Sequence, residues 1–459
     1  MNKNKSLKAI SAYVGVRWIA SGCLLLLAVG YLLQVFSPLR INTDSYRLLS
    51  MAVSAYHGGG YLVDGHPDQY PLAYPFVVKT LLQAHLASSM TLVILNLLCL
   101  FVGLWVLYAW SKHQNGLAGS MLPVVFVLSS WVMVKHVTLP ITDLLYFGVS
   151  SVFLFFIWLF WQQDGHRKWW SFSIALILGY LSLQCRSIGL IIFPALAITT
   201  LLHRNIVPFV ARILAKRRQT LGIVCVFAVL LFLVVLVIRK TGWYELQFVR
   251  FGSYFQWLLA SVHRESIGTL FLQNIRYRIL EFGEVFSNFP SAKAAKFLPI
   301  QYLVGLMAWC VVLYGAWRLL RTKHLLPLSL YFLLYAALMF IWPSYDARFW
   351  LPLLPVLALI FLTGADDLVC RWRWPAIRLA LQFYLIGFIV LGIVAILFST
   401  RISLSGKEFS DLYGDGTTRM TYRFVFRNGK DVDMGKVSEE QVRLLRIFEP
   451  LAKPSPSQE

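Results

Sequence analysis

The chain has 459 residues, of which 58% are hydrophobic and only 14% are charged. A soluble protein typically carries about 25% charged residues, so the composition excludes a soluble enzyme, a disordered scaffold and a small disulfide-built module. A formal net charge of +21 does not indicate nucleic-acid binding, because the basic residues stand in clusters between apolar runs, as topology signals do. The sequence therefore predicts a polytopic membrane protein.

Eleven apolar runs are predicted as transmembrane helices, because a helix needs about 20 mostly apolar residues to cross a bilayer. They lie at about 18–36, 88–110, 120–134, 141–161, 170–184, 187–202, 220–238, 299–319, 325–342, 349–364 and 379–398. The fifth and sixth runs are separated only by Cys185 and Arg186, so a single long, bent helix is the alternative there. The pattern predicts an all-α polytopic fold.

The distribution of Lys and Arg predicts the orientation, because short cytoplasmic segments collect basic residues. It places the N-terminus in the cytoplasm and the C-terminus outside. The membrane is expected to be a plasma membrane, of the bacterial inner-membrane kind. A transmembrane domain at 1–398 then carries outer loops at 37–87 and 239–298, and a small extracytoplasmic tail follows at 399–459. Nine of the twelve acidic residues before the tail face outward on this topology, so carboxylate chemistry is expected on the outer surface.

Two of the outer segments have local structure signals. Loosely helical spacing of arginines predicts that 239–298 forms helices lying in the membrane interface. In the tail, Thr421–Phe426 alternates like a strand and Asn428-Gly429 is a hairpin signal. Ser438 followed by Glu439-Glu440-Gln441 is typical of a capping box that opens a helix. The tail is therefore predicted to be a small α+β appendage.

Two outward carboxylates next to apolar runs are candidates for catalysis. Asp44 follows the first run, and Asp143 opens the fourth after Pro140-Ile141-Thr142. Each is suited to be a general base or a metal ligand. The alternative for each is a helix N-cap, since Asp is favoured at that position.

Two arginines are candidates for binding a phosphate. Arg186 stands between the fifth and sixth runs, and Arg348 follows Asp346 in a short outer turn. The alternatives are a snorkelling Arg186 and an exposed Asp346–Arg348 pair, which would be worth at most about 1 kcal/mol.

The first outer loop also offers groups that could support the site or hold a metal. His57 and His66 flank its glycines, and with Asp44 or Asp64 they could bind a divalent cation, although their spacing is no recognised ligand pattern. Tyr46 is a further candidate for a supporting role, as is Asp346 in the late outer turn.

The order of these motifs resembles the GT-C superfamily of membrane glycosyltransferases. The nearest branch is that of the dolichyl-phosphate-mannose protein mannosyltransferases and the aminoarabinose lipid A transferases. The resemblance covers about residues 10–365. The motifs are the early Asp44 with Tyr46 and a Gly-rich sequence, Tyr70-Pro71-Leu72-Ala73-Tyr74-Pro75, Pro140-x-Thr142-Asp143, Arg186-Ser187-x-Gly189-Leu190, and Asp346-Ala347-Arg348-Phe349 followed by Pro352 and Pro355.

The resemblance implies a transferase that takes a sugar from a polyprenyl-phosphate donor on the outer face. It implies catalytic carboxylates at Asp44 and Asp143, and donor-phosphate contacts at Arg186 and Arg348. Many relatives carry paired acids in the first loop, whereas this chain has Asn42-Thr43-Asp44-Ser45 with a single acid. The acceptor is a lipid, a glycan or a protein, and the sequence does not choose among them.

Two other functions remain open at the level of sequence. An O-antigen ligase or polymerase would also use outer-face arginines and a polyprenyl carrier. A lipid or polysaccharide transporter would place charged groups in the middle of several spans, whereas most runs here carry none and the candidates cluster near one face. The transferase is therefore favoured.

Overall fold

The computed structural model describes most of the apolar runs and much of the segments predicted to lie outside. It covers residues 14–68, 70–163, 167–202, 256, 259–261, 266–291, 295–321, 325–342, 344–372, 374–427 and 432–450. The predicted seventh span at 220–238 lies outside the described residues.

The described residues are almost entirely helical. The helices are α1 (Val14–Leu33), α2 (Thr43–Tyr56), α3 (Ala73–Gln83), α4 (Ser89–Ser111), α5 (Leu122–Ser129), α6 (Trp131–Val137), α7 (Thr142–Gln162), α8 (Arg167–Cys185), α9 (Ile192–Leu202), α10 (Ile267–Ser287), α11 (Leu298–Arg321), α12 (Leu326–Ile341), α13 (Leu354–Trp372), α14 (Pro375–Ser403), α15 (Phe409–Leu412), α16 (Gly416–Arg427) and α17 (Glu439–Phe448). Among the described residues the strands are β1 (Leu62–Val63) and β2 (His66–Pro67), an antiparallel pair in the first outer loop.

Five segments of the described chain are long and apolar enough to cross a membrane: α4, α7, α11, α14, and α13 together with the helical turn that precedes it. Shorter apolar helical segments lie at Gly22–Phe36, Ser187–Leu202 and Leu326–Ile341. The chain is therefore a helical, multi-pass membrane protein. The exact count of eleven spans stays a prediction.

The helical backbone breaks inside one predicted span and between two others. The run at 120–134 breaks between α5 and α6, where Ser130 is extended with φ −65° and ψ 123°. The chain also leaves α8 at Arg186, which is extended with φ −150° and ψ 141°. The fifth and sixth runs are thus separate helical segments, joined by a short 3-10 turn over Ser187–Ile191.

Helix α10 corrects the prediction of interfacial helices for its part of 239–298. It packs along α11 and against α12. The side chains of Arg278 and Glu281 on α10 are both fully buried. A helix that lies in the interface keeps its charged face in water, so the C-terminal half of α10 is instead packed inside the protein, whereas Phe271 and Leu272 near its start are exposed.

The described part of the tail is helical, and the α+β prediction is wrong there. Thr421–Phe426, predicted as a strand, lies within α16. Its buried side chains are Thr421, Tyr422, Val425 and Phe426. The second pair follows the first by four residues, which is the period of a helix. Asn428-Gly429 lies outside the described residues. The capping box is confirmed in part, because Ser438 accepts a hydrogen bond from the Gln441 N–H at the start of α17.

The tail packs onto the short segment between α1 and α2. The backbone N–H of Ile41 donates to the Tyr422 hydroxyl at 2.9 Å, and that hydroxyl donates to the Leu39 carbonyl. The Leu39 N–H donates to the Glu449 carboxylate at 2.7 Å. Arg40 donates to the Ser403 hydroxyl at 2.9 Å at the end of α14. We name this set of contacts the tail clamp; it fixes the backbone immediately before α2.

The orientation can be tested by cysteine labelling in a variant that lacks the native cysteines. His66 and Asn115 are exposed, Met434 is 61% exposed, and all three lie outside the membrane-length helices. We expect His66→Cys and Met434→Cys to react with an impermeant thiol reagent in intact cells, and Asn115→Cys to react only after permeabilisation. The reverse pattern would show that the positive-inside prediction is wrong.

Candidate active site

Asp44, Asp143, Arg186 and Arg348, the four principal candidates from the sequence, line one cavity. Its volume is about 220 Å³. The ends of several elements meet there: the first turns of α2 and α7, the residues after α8, and the turn before α13. Tyr70, Pro71, Ser344 and Phe349 also line it.

Asp44 is placed by the start of α2, but it does not cap that helix. Asn42 is the cap: its side chain accepts from the Ser45 N–H, and the Asn42 N–H donates to the Ser45 hydroxyl. The N-cap interpretation of Asp44 is therefore wrong. Asp44 is the second residue of the helix, where the helix dipole stabilises a negative charge, and its carboxylate is available for other contacts.

Both oxygens of the Asp44 carboxylate are engaged inside the cavity. The Tyr70 hydroxyl donates to Oδ1, and Arg348 Nη1 donates to Oδ2. Arg348 is 20% exposed and Asp44 is 18% exposed, so this ion pair is more shielded from solvent than a surface pair. Asp44 and Arg348 are 304 residues apart in the chain.

Arg348 is held by a turn as well as by Asp44. Its Nε lies 2.8 Å from Asp346 Oδ2, and its backbone N–H donates to Asp346 Oδ1 at 2.9 Å. The predicted Asp346–Arg348 pair thus exists, and Asp346 serves as the N-cap of the 3-10 turn over Ala347–Leu353. Since Arg348 also reaches Asp44, the interpretation of an isolated surface pair is wrong.

Asp143 and Arg186 form the second ion pair of the cavity. Asp143 is the second residue of α7, whose cap position is Ile141, with no side-chain cap bond, so Asp143 is not an N-cap either. Arg186 Nη1 donates to Asp143 Oδ1, with the two side chains 16% and 4% exposed. The arginine therefore does not snorkel away from the protein.

The Arg-Ser-Ile-Gly sequence explains how Arg186 is placed. The Gly189 N–H donates to the Arg186 carbonyl at 2.8 Å and closes the turn. A Cβ at Gly189 would lie 2.7 Å from the Ser182 carbonyl oxygen and 2.8 Å from the Leu183 nitrogen. Only glycine lets this turn lie directly on the backbone of α8, which brings Arg186 toward the start of α7.

Phe349 lies between the two arginines. The guanidinium carbons of Arg186 and Arg348 are 5.6 Å and 5.7 Å from the centroid of its ring, within the range of a cation–π contact. One aromatic ring therefore holds both positive groups on the same cavity wall. The two arginines face Asp44 and Asp143, so the charges that line the cavity are balanced.

The cavity keeps Asp44 ionised at neutral pH. Burial by itself would raise the pKa of the Asp44 carboxyl, but the charge of Arg348 and the hydrogen bonds from Tyr70 and Arg348 outweigh it. The pKa of Asp44 is therefore lowered from its usual range. A carboxylate held in this way is a weak base for as long as Arg348 stays bound to it.

The supporting candidates of the first loop are not part of this cavity. Tyr46 donates to the Asp64 carboxylate at 3.1 Å. Tyr46 and His57 line a second cavity, between α2, the β1–β2 hairpin and α17. His66 lies exposed in β2. The structure therefore brings Asp346 to the site but leaves Tyr46, His57 and His66 outside it.

The predicted divalent cation would need several His, Cys, Asp or Glu side chains close together. Within the described parts of the chain, no three His, Cys, Asp or Glu side chains come together as a group that could hold a metal. Asp44 and Asp143 line one cavity, but each already binds an arginine. A cation would have to displace those guanidinium groups, so metal dependence stays a prediction.

Sequence reasoning assigned no role to three residues that the structure places at or beside the site: Tyr70, Phe349 and Glu281. Tyr70 and Phe349 each stand inside a quoted motif, Tyr70 before Pro71 and Phe349 after Arg348. The motif residues next to them, Pro71 and Arg348, could have pointed to these two side chains. Glu281 has no such motif beside it, and a glutamate in a helix that carries both positive and negative residues is normally exposed to solvent.

Comparisons with known proteins give one likeness, and it is structural. No family model and no curated protein matches the chain. Two crystal structures of ArnT from Cupriavidus metallidurans are similar, one bound to undecaprenyl phosphate and one in the apo state. They are 14% and 15% identical, with TM-scores of 0.49 and 0.48, and cover 88% and 89% of this chain and 68% of their own. At this identity and TM-score the roles of the residues here rest on their own contacts.

Proposed function

We propose that the chain is a membrane glycosyltransferase that moves a sugar from a polyprenyl-phosphate donor to a lipid, glycan or protein acceptor on the outer face of the membrane. The observation that carries the proposal is the cavity in which two Asp–Arg pairs meet beside apolar helices. Arginines suit a phosphate leaving group, and carboxylates suit proton abstraction from the acceptor.

In this proposal Arg186 and Arg348 bind the donor phosphate. A guanidinium group presents several N–H donors in one plane, which matches the geometry of phosphate oxygens. The shared contact with Phe349 holds both groups on one wall. When the bond between the sugar carbon and the phosphate oxygen breaks, the electron pair goes to that oxygen. The two positive charges stabilise the phosphate that leaves.

Asp44 is the proposed base and Asp143 the supporting acid. The acceptor hydroxyl or amine attacks the anomeric carbon from the side opposite the phosphate, and Asp44 takes its proton, so the configuration is inverted. Tyr70 keeps the carboxylate oriented through its bond to Oδ1. Asp143 holds Arg186 in position through their ion pair.

Donor binding would also strengthen the base. A phosphate that draws Arg348 toward itself competes with Asp44 for the same guanidinium group. Removing a neighbouring positive charge raises the pKa of a carboxylate, so Asp44 becomes more basic once the donor is in place. Before that, its pKa stays low. The pair therefore links proton abstraction to the presence of the donor.

The proposal is tested with purified protein and radiolabelled polyprenyl-phosphate sugar, with and without a lipid acceptor. We expect label to move into the acceptor, with one equivalent of polyprenyl phosphate released, and nuclear magnetic resonance of the product to show an inverted anomeric centre. The control is Asp64→Asn, which removes a carboxylate of the second cavity. Asp64 has φ 49°, a left-handed conformation that asparagine adopts readily, so the control should transfer at the wild-type rate.

The alternatives give different results when the assay is repeated with a labelled polyprenyl-diphosphate glycan as the donor and with protein reconstituted in vesicles. Transfer of a whole glycan from a polyprenyl diphosphate would favour the O-antigen ligase or polymerase. Movement of the labelled lipid across vesicles without a new glycosidic bond would favour the transporter and contradict the proposal. Among the described residues, the ion pairs of the cavity lie at helix ends, where a transferase site needs them.

A further inference from the structure

A buried ion pair on α10 has no part in the chemistry proposed above. Arg278 Nη1 lies 3.0 Å from Glu281 Oε2, and both side chains are fully buried. Removing two charges from water is costly, and a buried pair often stabilises a protein less than apolar residues of the same volume would. The pair therefore calls for an explanation beyond stability.

Apart from a 3.9 Å contact of Arg278 Nη1 with Met339 Sδ, the side-chain hydrogen bonds of the pair converge on one segment of the chain. Glu281 Oε1 accepts from the Asp346 N–H at 2.9 Å, and Glu281 Oε2 accepts from Trp350 Nε1 at 2.7 Å. Arg278 Nη2 donates to the carbonyl of Ser344. These residues belong to 344–350, the segment that carries Arg348. The buried pair thus holds this segment on both sides of the arginine.

We propose that Glu281 is a positioning residue for Arg348: by accepting hydrogen bonds from the Asp346 backbone and the Trp350 indole, it fixes the turn that aims the guanidinium group into the cavity. This inference rests on the proposed function for its kinetic consequence, because the proposed function assigns Arg348 to the donor phosphate. The geometric part, a turn held by Glu281, stands apart from any assay of transfer.

A carboxylate is the group that the position requires. Three donors converge on Glu281, from Asp346, Trp350 and Arg278, and a carboxylate offers two acceptor oxygens with several lone pairs. Glutamine has one acceptor oxygen and an NH₂ group, so its NH₂ group would face one of these three N–H donors. Glu281→Gln therefore keeps the size of the side chain but loses at least one of the bonds to the turn.

The test uses two variants that reach the same contact from opposite sides. Glu281→Gln changes the acceptor. Trp350→Phe removes the indole donor but keeps an aromatic ring against Phe282, whose ring centroid is 4.7 Å away. The control is Asn274→Ala, on the same helix. Asn274 is buried and donates to the Phe340 carbonyl at 2.8 Å, so its loss removes a buried hydrogen bond without touching the turn.

Two measurements are made on the full-length protein in detergent: amide hydrogen exchange of the 344–350 peptide and the kinetics of transfer. We expect faster exchange in Glu281→Gln and Trp350→Phe, and a KM for the donor raised about tenfold, the lower end of the loss seen when the hydrogen-bond partner of a metal-binding side chain is removed. The double variant should be little worse than either single one, because both remove the same constraint. Asn274→Ala should change neither quantity.

The outcomes separate this inference from the proposed function. Unchanged exchange in both variants would overturn the positioning role, as would faster exchange with an unchanged donor KM. If the wild-type protein transfers no sugar at all, the proposed function fails, while the exchange comparison still decides whether Glu281 holds the turn.

Discussion

Replacing Asp44 with asparagine is expected to reduce sugar transfer by about 10²–10⁴-fold, the usual contribution of a general base, while the protein folds and binds its donor. Asparagine cannot accept the acceptor proton at neutral pH, but it keeps an oxygen for the Tyr70 hydroxyl. Arg348 loses its partner in the cavity, so donor affinity should stay the same or rise. Transfer is measured under single-turnover conditions, and donor affinity by equilibrium binding of the labelled lipid.

The matched control for Asp44→Asn is Asn42→Ala, two residues earlier. Asn42 carries the cap of α2, and its loss should cost about 1 kcal/mol of stability while the carboxylate remains. We expect a lower melting temperature with nearly normal transfer in Asn42→Ala, and the opposite pattern in Asp44→Asn. Near-wild-type turnover in Asp44→Asn would rule it out as the base and make Asp143 the leading candidate.

Removing either arginine is expected to cause the second large loss. Arg186→Ala and Arg348→Ala should each lower transfer by about 10²–10³-fold, as the loss of one electrostatic contact to a developing negative charge does. Lysine should restore only part of this activity, because a single ammonium group lacks the planar fork. Arg348 contacts Asp44 through Nη1 and Asp346 through Nε, two directions that one lysine nitrogen does not reproduce.

The control for the arginines is Lys436→Ala in the tail. Lys436 is 60% exposed and its Nζ lies 2.9 Å from Asp433 Oδ2, so its loss should change transfer little. Arg348→Ala also leaves Asp44 without its counter-ion, and melting temperatures will show that cost. The double variant with Asp44→Asn should regain stability without regaining activity. Full activity in both alanine variants would eliminate the phosphate-binding role.

Much of the fold could be predicted from local composition, because about 20 consecutive apolar residues are enough to identify a membrane helix. The boundaries of α4, α7 and α11 follow the apolar runs within two residues. The tail could not be predicted in the same way. The sequence Thr421–Phe426 fits both the alternation of a strand and the period of a helix. In the structure it is helical, and Tyr422 contacts residues 39–41 from that helix.

The identity of the site residues was more predictable than their partners. Outward charges beside apolar runs are rare, which singled out Asp44, Asp143, Arg186 and Arg348. Their pairing was not predictable, since Asp44 and Arg348 are 304 residues apart. The cap alternative for Asp44 was wrong for a local reason, because Asn42 precedes Asp44 and also favours the cap position. Glu281 shows the limit most clearly: its importance lies in contacts with residues 65 and 69 positions later.

The tail clamp sets the order in which the protein can be completed during synthesis. A ribosome that has made residues 1–403 has made every described helix that lines the cavity, yet Tyr422 and Glu449, which hold Leu39 and Ile41, do not yet exist. Until they are added, the backbone that leads into α2 lacks these partners, and Asp44 depends on the Asn42 cap and on its contacts with Tyr70 and Arg348. The segment that leads into α2 therefore gains its full set of hydrogen bonds only after the last described helix of the tail has been synthesised.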